Sequence, residues 1–263
     1  MKIPFYKYHA NGNDFILILS ENLDKKHIKT RHVRRLCSRQ MGIGADGLII
    51  ISPSKKHDFY LDYYNSDGSW ETLCANGSRC AANFMYNAGS VDRKMVFETG
   101  SGIHVSEILD NGLVTMTINI PIYKSNSISI RGVVGYFVDS GAKHFVVESE
   151  NLDDKYVLKM GRIIRYASEF QPKGINVNFY SVDMKNGVKI KTYEKGVERV
   201  MLSCASGSAA VVFHLSKTNV VSSPVTTSSP GGNLIYSFDS GWTDFLSEGP
   251  TEFLFNGTFC LGK

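Results

Sequence analysis

The sequence predicts an α/β protein of two related halves, each a set of strands wrapped round one central helix. Three observations carry that expectation. A chain of 263 residues is long enough for two domains of ordinary size. Both halves are rich in period-two alternation of apolar and polar residues, the signature of half-buried strands, with few helical patterns between. Finally, "CANGSRCAANFMYNAG" (74–89) is echoed by "CASGSAAVVFHLSKTN" (204–219), with Cys, Ala, Gly and Ser at the first, second, fourth and fifth places.

Taken in order, "KKHIKTRHVRRLCSR" (25–39) places Ile28, Val33, Leu36 and Cys37 on one stripe and reads as an amphipathic helix with a solvated basic face. "HDFYLDYYN" (57–65) alternates as a strand. Ala75 to Ala88 reads as a helix stopped by Gly89. In "HVSEILDNGLVTMTINI" (104–120), Asp110, Asn111 and Gly112 separate two apolar runs and predict a hairpin, the second strand alternating through Ile120. Pro121 and the polar "KSNSISIRG" (124–132) mark a break, so the domains are expected at 1–121, carrying Cys74, and 122–263, carrying Cys204. The last strand, about 250–263, is left free to return to the first domain. From 133 to 195 strands are expected, then a helix after Cys204 that is apolar nearly all round, then "SSPGGN" (228–233) and further strands. A helix apolar on every side is a buried one.

Composition narrows the function classes. With 43% hydrophobic and 21% charged residues the chain reads as an ordinary soluble globular protein, and a net charge of +4 does not call for nucleic acid. The first twelve residues lack a secretory apolar stretch and the longest aliphatic run, 47–51, cannot span a bilayer, so a cytoplasmic location is expected. Five cysteines, an odd number, argue for reduced thiols over a disulfide framework. Cys74 and Cys80 are six apart with no paired histidines behind them, so no metal site is expected. Cys37, Cys80 and Cys260 read as packed core thiols.

Cys74 and Cys204 differ because each opens a helix among small residues. Unpaired N–H groups and the helix dipole there favour thiolate, and the same groups cradle a carboxylate. Two such halves offer two thiols to one ligand. One removes a proton from a carbon while the other delivers one to the opposite face, which inverts the stereocentre without pyridoxal phosphate. The helix N–H groups stabilise the enolate-like charge that develops on the carboxylate.

At this point the chain resembles the diaminopimelate epimerase family. "HANGNDF" (9–15), "GIGADGL" (42–48), "NSDGS" with "CANGSRC" (65–80), "GINVNF" (174–179), "TYEKGVER" with "LSCASG" (192–207), "SPGG" (229–232) and "EGP" (248–250) stand in the family's order. The resemblance implies two pseudo-symmetric domains, each a strongly bent, mostly antiparallel sheet round a central helix, with the active site in the cleft between them. It implies epimerisation of LL-2,6-diaminopimelate to the meso form, on the route to lysine and peptidoglycan, without a cofactor. Cys74 and Cys204 would be the catalytic thiols. Asn13, Asn65, Ala75, Asn76, Asn176, Glu194, Lys195, Ala205 and Ser206 would contact substrate, the alanines and Ser206 through their backbone. His144 and Glu194 would tune the cysteines. The expected partner is an amino acid, with a homodimer allowed and neither nucleic acid nor membrane.

The chain also departs from the family. Lys195 stands for the usual Arg and cannot reproduce its bidentate fork to a carboxylate. Ala75 and Ala205 replace glycines, Ala142 and Lys143 replace Asn-Pro before His144, and Val200 and Met201 replace Glu-Thr. These changes spare both thiols but surround the second one, so racemisation of another amino acid, such as histidine, is the alternative expectation. A thiol redox or retired binding protein is a third.

Overall fold

The computed structural model describes residues 2–23, 28–183 and 187–260. It is a mixed α/β fold with a strongly bent sheet and few helices, and it divides into two compact units, Met1–Thr117 with Glu248–Lys263, and Ile118–Ser247. Among the described residues no helix is long and apolar enough to cross a membrane.

The first unit runs β1 (Lys2–Ala10), β2 (Asn13–Leu19), α1 (Thr30–Cys37), β3 (Gly47–Ser52), β4 (Phe59–Asn65), β5 (Trp70–Glu71), α2 (Ala75–Asn87), β6 (Lys94–Thr99), β7 (Gly102–Ile108) and β8 (Val114–Thr117). The second runs β9 (Ile122–Ile130), β10 (Val133–Asp139), β11 (Lys143–Glu148), α3 (Asp154–Arg165), β12 (Asn176–Asp183), β13 (Gly187–Glu194), β14 (Arg199–Met201), α4 (Ala205–Lys217), β15 (Val225–Ser229), β16 (Gly232–Phe238) and the start of β17 (Phe245–Gly249), whose last two residues belong to the first unit. The final strand, β18 (Glu252–Cys260), pairs antiparallel with β1 in the first unit.

Pairing repeats strand for strand. β2 joins β3 in parallel across α1, as β11 joins β12 across α3. β4 pairs antiparallel with β5 and parallel with β6, as β13 does with β14 and β15. The short match at the cysteines is thus the visible remnant of a repeat in topology.

In each unit the strands wrap one helix and carry the other outside. α2 packs against β1, β2, β3, β7 and β8, and α4 against β10, β11, β12 and β16. On the far face, Val33, Leu36 and Cys37 of α1 join Ile3, Ile16, Ile18, Leu48 and Ile50 in one core. Val157 and Ile164 of α3 join Phe145, Val177, Phe179 and Tyr193 in another. Strands covered on both faces read as continuous apolar runs, which explains why "GLIII" in β3 is buried throughout.

Several expectations change here. The hairpin at Gly112 (φ +80) forms, but its second strand ends at Thr117 rather than Ile120. The polar stretch after Pro121 is not a break in structure but β9, paired with β10 through its backbone while most of its side chains meet solvent. The region 133–195 is not all strand. Asp153 caps α3 by accepting from Lys155 N at 2.9 Å, and Val157, Gly161 and Ile164 line its buried face. The basic segment forms α1 from Thr30, and Ile28 packs on its core from outside the helix; residues 25–27 lie outside the described residues. Cys37 and Cys80 are buried, but Cys260 is exposed, because β18 carries most of its side chains in solvent.

Candidate functional site

Cys74 and Cys204 occupy matching positions. Each is the residue before a thirteen-residue helix, with φ/ψ of −131/107 and −137/99. Each carbonyl accepts the first helical bond, from Ser78 N at 2.8 Å and from Ser208 N at 2.9 Å. Neither side chain caps its helix. The cap positions of α2 and α4 thus supply no side-chain oxygen to the leading N–H groups, as Asp153 does for α3, and at α4 the Gly207 N–H faces the Cys204 sulfur.

The glycines of the two motifs serve packing. A Cβ at Gly77 would come within 2.7 Å of Ile49 Cδ1, and one at Gly207 within 2.0 Å of Asn178 Oδ1. Room for each helix against its strand explains both glycines.

Around Cys74 the polar side chains hold one another. Asn76 Nδ2 donates to Asn13 Oδ1 at 3.2 Å, and Asn13 Nδ2 donates to Asp46 Oδ2 at 2.9 Å. Asn76 Oδ1 in turn accepts from Arg79, a guanidinium with no solvent exposure. Asp46 is anchored by Arg39 at 2.8 Å, which also forks onto Asp14 at 2.7 and 3.0 Å, while Lys7 reaches Asp14 at 2.6 Å. Burial alone would raise Asp14, but the bonds from Arg39 and Lys7 prevail and hold its carboxyl at about 2. An amide donates only through nitrogen, so Asp46 and Arg79 fix which way Asn13 and Asn76 face. Asn65 is used otherwise. It accepts from Tyr63 Oη at 2.7 Å and donates to Ser69 Oγ at 3.1 Å, within the β4–β5 turn.

Around Cys204 the arrangement is tighter. Its thiol is pushed well above the ordinary value by burial first and by Glu194 next, through charge and a hydrogen bond. Ser206 Oγ, 3.6 Å from the sulfur, and the Gly207 N–H act in the opposite direction. A helix N-terminus alone would favour thiolate, yet here burial and a facing carboxylate outweigh it. His144 is fully buried, with Nε2 3.0 Å from Ser206 Oγ and Nδ1 2.9 Å from Asn178 Nδ2. Burial lowers it to about 3, so it is a neutral imidazole. Asn176 Oδ1 accepts from Lys195 N at 2.8 Å, which orders the turn behind Glu194. Ala205 and Ser206 turn their carbonyls away, to Tyr236 Oη at 2.7 Å and Ser140 Oγ at 2.8 Å.

The anticipated residues thus gather in two clusters, one in each unit, Asn13 and Asn76 at Cys74, and His144, Glu194 and Ser206 at Cys204. Sequence reading missed Asp46, Arg79, Asn178 and Thr192. All four lie inside quoted motifs, Asp46 in "GIGADGL", Arg79 in "CANGSRC", Asn178 in "GINVNF" and Thr192 in "TYEKGVER", so the motifs carried a signal, but nothing local shows which side chains those four meet.

The chain is similar to known proteins along most of its length. The family model for diaminopimelate epimerase matches residues 5–120. A diaminopimelate epimerase of Aquifex aeolicus (strain VF5) is 38% identical over 89% of this chain and 88% of its own length. One of Hydrogenobaculum sp. (strain Y04AAS1) is 37% identical over 95% and 96%. Among solved structures, the phenazine biosynthesis protein of the PhzF family from Bacillus anthracis aligns with a TM-score of 0.77 over 99% of this chain and 100% of its own. At 12% identity that likeness speaks for the fold alone. With two relatives this similar across nearly its whole length, the chain belongs to the diaminopimelate epimerase family.

Proposed function

We propose that this protein is an isomerase that interconverts LL- and meso-diaminopimelate, with Cys74 and Cys204 as its two acid/base groups. The observation that carries the reading is the pair of uncapped helix N-termini, each preceded by a cysteine in the same extended geometry, in a chain of this family. The names of the relatives favour diaminopimelate over another amino acid.

The chemistry follows from the half-sites. Inversion asks for a base on one face of the α-carbon and an acid on the other. Cys204, held protonated by burial and Glu194, is the resting acid, and Cys74 is the base in that direction; in the reverse direction they exchange roles. In each half-site the first-turn N–H groups of the helix, α2 or α4, offer positive partial charge to a carboxylate and stabilise charge as the proton leaves. Asn13 and Asn76, locked by their neighbours, each keep a second amide hydrogen for a substrate acceptor. Glu194 and Lys195 supply the opposite charges for a substrate bearing both ammonium and carboxylate groups, with Asn176 bracing their turn. Lys195 is a single-point donor where the family's usual Arg forks, so recognition of the distal carboxylate relies more on the amides.

The decisive test is solvent deuterium entering the α-carbon of LL-diaminopimelate. Wash-in is expected with the intact protein and is expected to disappear in both Cys74→Ala and Cys204→Ala. Full activity in either variant overturns the two-thiol reading.

A homodimer fits the same chain. Phe253, Leu254 and Phe255 on β18 are 45, 43 and 47% exposed, and Glu252 is the strand's one charge, so a second β18 meets little repulsion. Leu254→Glu is expected to halve the mass measured by light scattering; a wild-type monomer overturns this. The reduced thiols suit the cytoplasm.

A further inference from the structure

A chain of hydrogen bonds leads from the sheet to Cys204. Thr192 and Asn178 face each other across β13 and β12, and the Thr192 hydroxyl donates to Asn178 Oδ1 at 2.8 Å. The amide's other end, Nδ2, meets His144 Nδ1 at 2.9 Å. His144 Nε2 meets Ser206 Oγ at 3.0 Å, and Ser206 Oγ meets Cys204 Sγ at 3.6 Å. Asn178 and His144 have no solvent exposure and Thr192 has 3%, so water does not take the place of any link in the sheet.

With Asn178 Nδ2 facing the ring, as the structure has it, the direction of the bonds that follow comes from the chemistry of the groups. An amide nitrogen only donates, so His144 Nδ1 accepts, and a neutral imidazole accepting there carries its hydrogen on Nε2. Nε2–H donates to Ser206 Oγ, which leaves the serine's own hydrogen for sulfur. If the amide were turned over, Nδ1–H would donate to Oδ1 and Nε2 would draw the serine hydrogen to itself. Sulfur would lose its donor. Burial keeps the imidazole neutral, and the nearby Lys195 charge acts the same way, so the tautomer is the variable that matters.

We propose that Asn178, oriented by Thr192, is a positioning residue for Cys204: by fixing the Nε2–H form of His144 it aims the Ser206 hydroxyl at the sulfur and stabilises the thiolate that forms there. The proposal rests on Cys204 as an acid/base thiol only for its effect on turnover. The hydrogen-bond chain stands independently of that role. Gly207 belongs to the same device, because any side chain there would displace Asn178 Oδ1.

Histidine-15N NMR of the whole protein, with the His144 signals assigned by their loss in His144→Gln, reads the tautomer directly. The expected result is hydrogen on Nε2; hydrogen on Nδ1 overturns the proposal. Alkylation of Cys204 by iodoacetamide, followed by peptide mass spectrometry against pH, reads the thiolate. Thr192→Val, isosteric but unable to orient the amide, is expected to raise the half-maximal pH by about one unit, the order expected for losing one hydrogen bond to an anion. Thr192→Ser is expected to keep the wild-type profile. Ser206→Ala is expected to give the same upward shift with the tautomer unchanged, and the double variant Thr192→Val/Ser206→Ala no further shift. Additive shifts, or an unmoved profile in Thr192→Val, overturn the proposal. In turnover, kcat is expected to fall about tenfold in Thr192→Val with KM little changed. If the tautomer and alkylation results hold while kcat is unmoved, it is the acid/base role of Cys204 that fails, not the hydrogen-bond chain.

Discussion

Asn76 Nδ2 donates to Asn13 Oδ1 at 3.2 Å, tying the first turn of α2 to the first residue of β2, and Asp46 holds the other end of the Asn13 amide at 2.9 Å. In the proposed reading, binding at Asn13 and Asn76 depends on an aspartate behind the two amides. Asp46→Ala is expected to raise KM for diaminopimelate about tenfold, roughly the value of one well-made hydrogen bond, with a smaller change in kcat. Steady-state kinetics of the purified variant checks this; an unchanged KM shows that Asn13 needs no such anchor.

Cys204 should be a sluggish nucleophile at rest. Its thiol lies above the ordinary range because of burial and Glu194. The thiolate fraction therefore grows only as pH climbs past that of a free cysteine, and Glu194→Gln should bring the onset down. Mass-spectrometric alkylation rates between pH 6 and about 10 test the sign. Faster labelling than a model peptide at neutral pH would contradict it.

The two motif glycines should tolerate a methyl unequally. At Gly77 the added Cβ meets the far end of Ile49, which can rotate, so Gly77→Ala is expected to cost about 1 kcal/mol. At Gly207 it meets Asn178 Oδ1 at 2.0 Å, and that amide is held at both ends, so about 3 kcal/mol is expected together with loss of turnover. Urea unfolding of both variants measures the difference.

Acid should weaken the first unit through Asp14. Its carboxyl is lowered from 3.8 to about 2 in the folded chain, so its stabilisation is complete above about pH 4 and is lost as pH falls through about 2. The shift corresponds to about 2 kcal/mol. Asp14→Asn should be less stable at neutral pH and should lose that part of the slope, as seen by denaturant unfolding between pH 2 and 6. A variant with the wild-type slope would show that Lys7 and Arg39 do not act through Asp14.

Much of the fold was legible because local rules decide it. Gly89 and Gly112 take positive φ where the sequence placed a helix stop and a hairpin turn. The apolar run after Cys204 is a buried helix, as its lack of a polar face required. What escaped was set by partners distant in the chain. α3 was hidden because Val157, Gly161 and Ile164 are only a narrow stripe among charges, and its core lies on β11, β12 and β13. β9 looked like a linker because a strand held through its backbone has no need of apolar side chains.

The sequence by itself determined the chemistry on offer: two cysteines before small-residue helices, a duplicated setting, and a family order of motifs. Each is a local pattern that one stretch of chain displays. Only the tertiary structure decided how that chemistry is tuned. Burial with Glu194 raises the Cys204 thiol, Asp46 and Arg79 set the direction of the Asn13 and Asn76 amides, and Asn178, bonded to Thr192, faces the His144 ring. The physical reason is that a pKa or a tautomer depends on desolvation and on which donor faces which acceptor. Residues 33 apart, such as Asn13 and Asp46, meet only after the strands have paired.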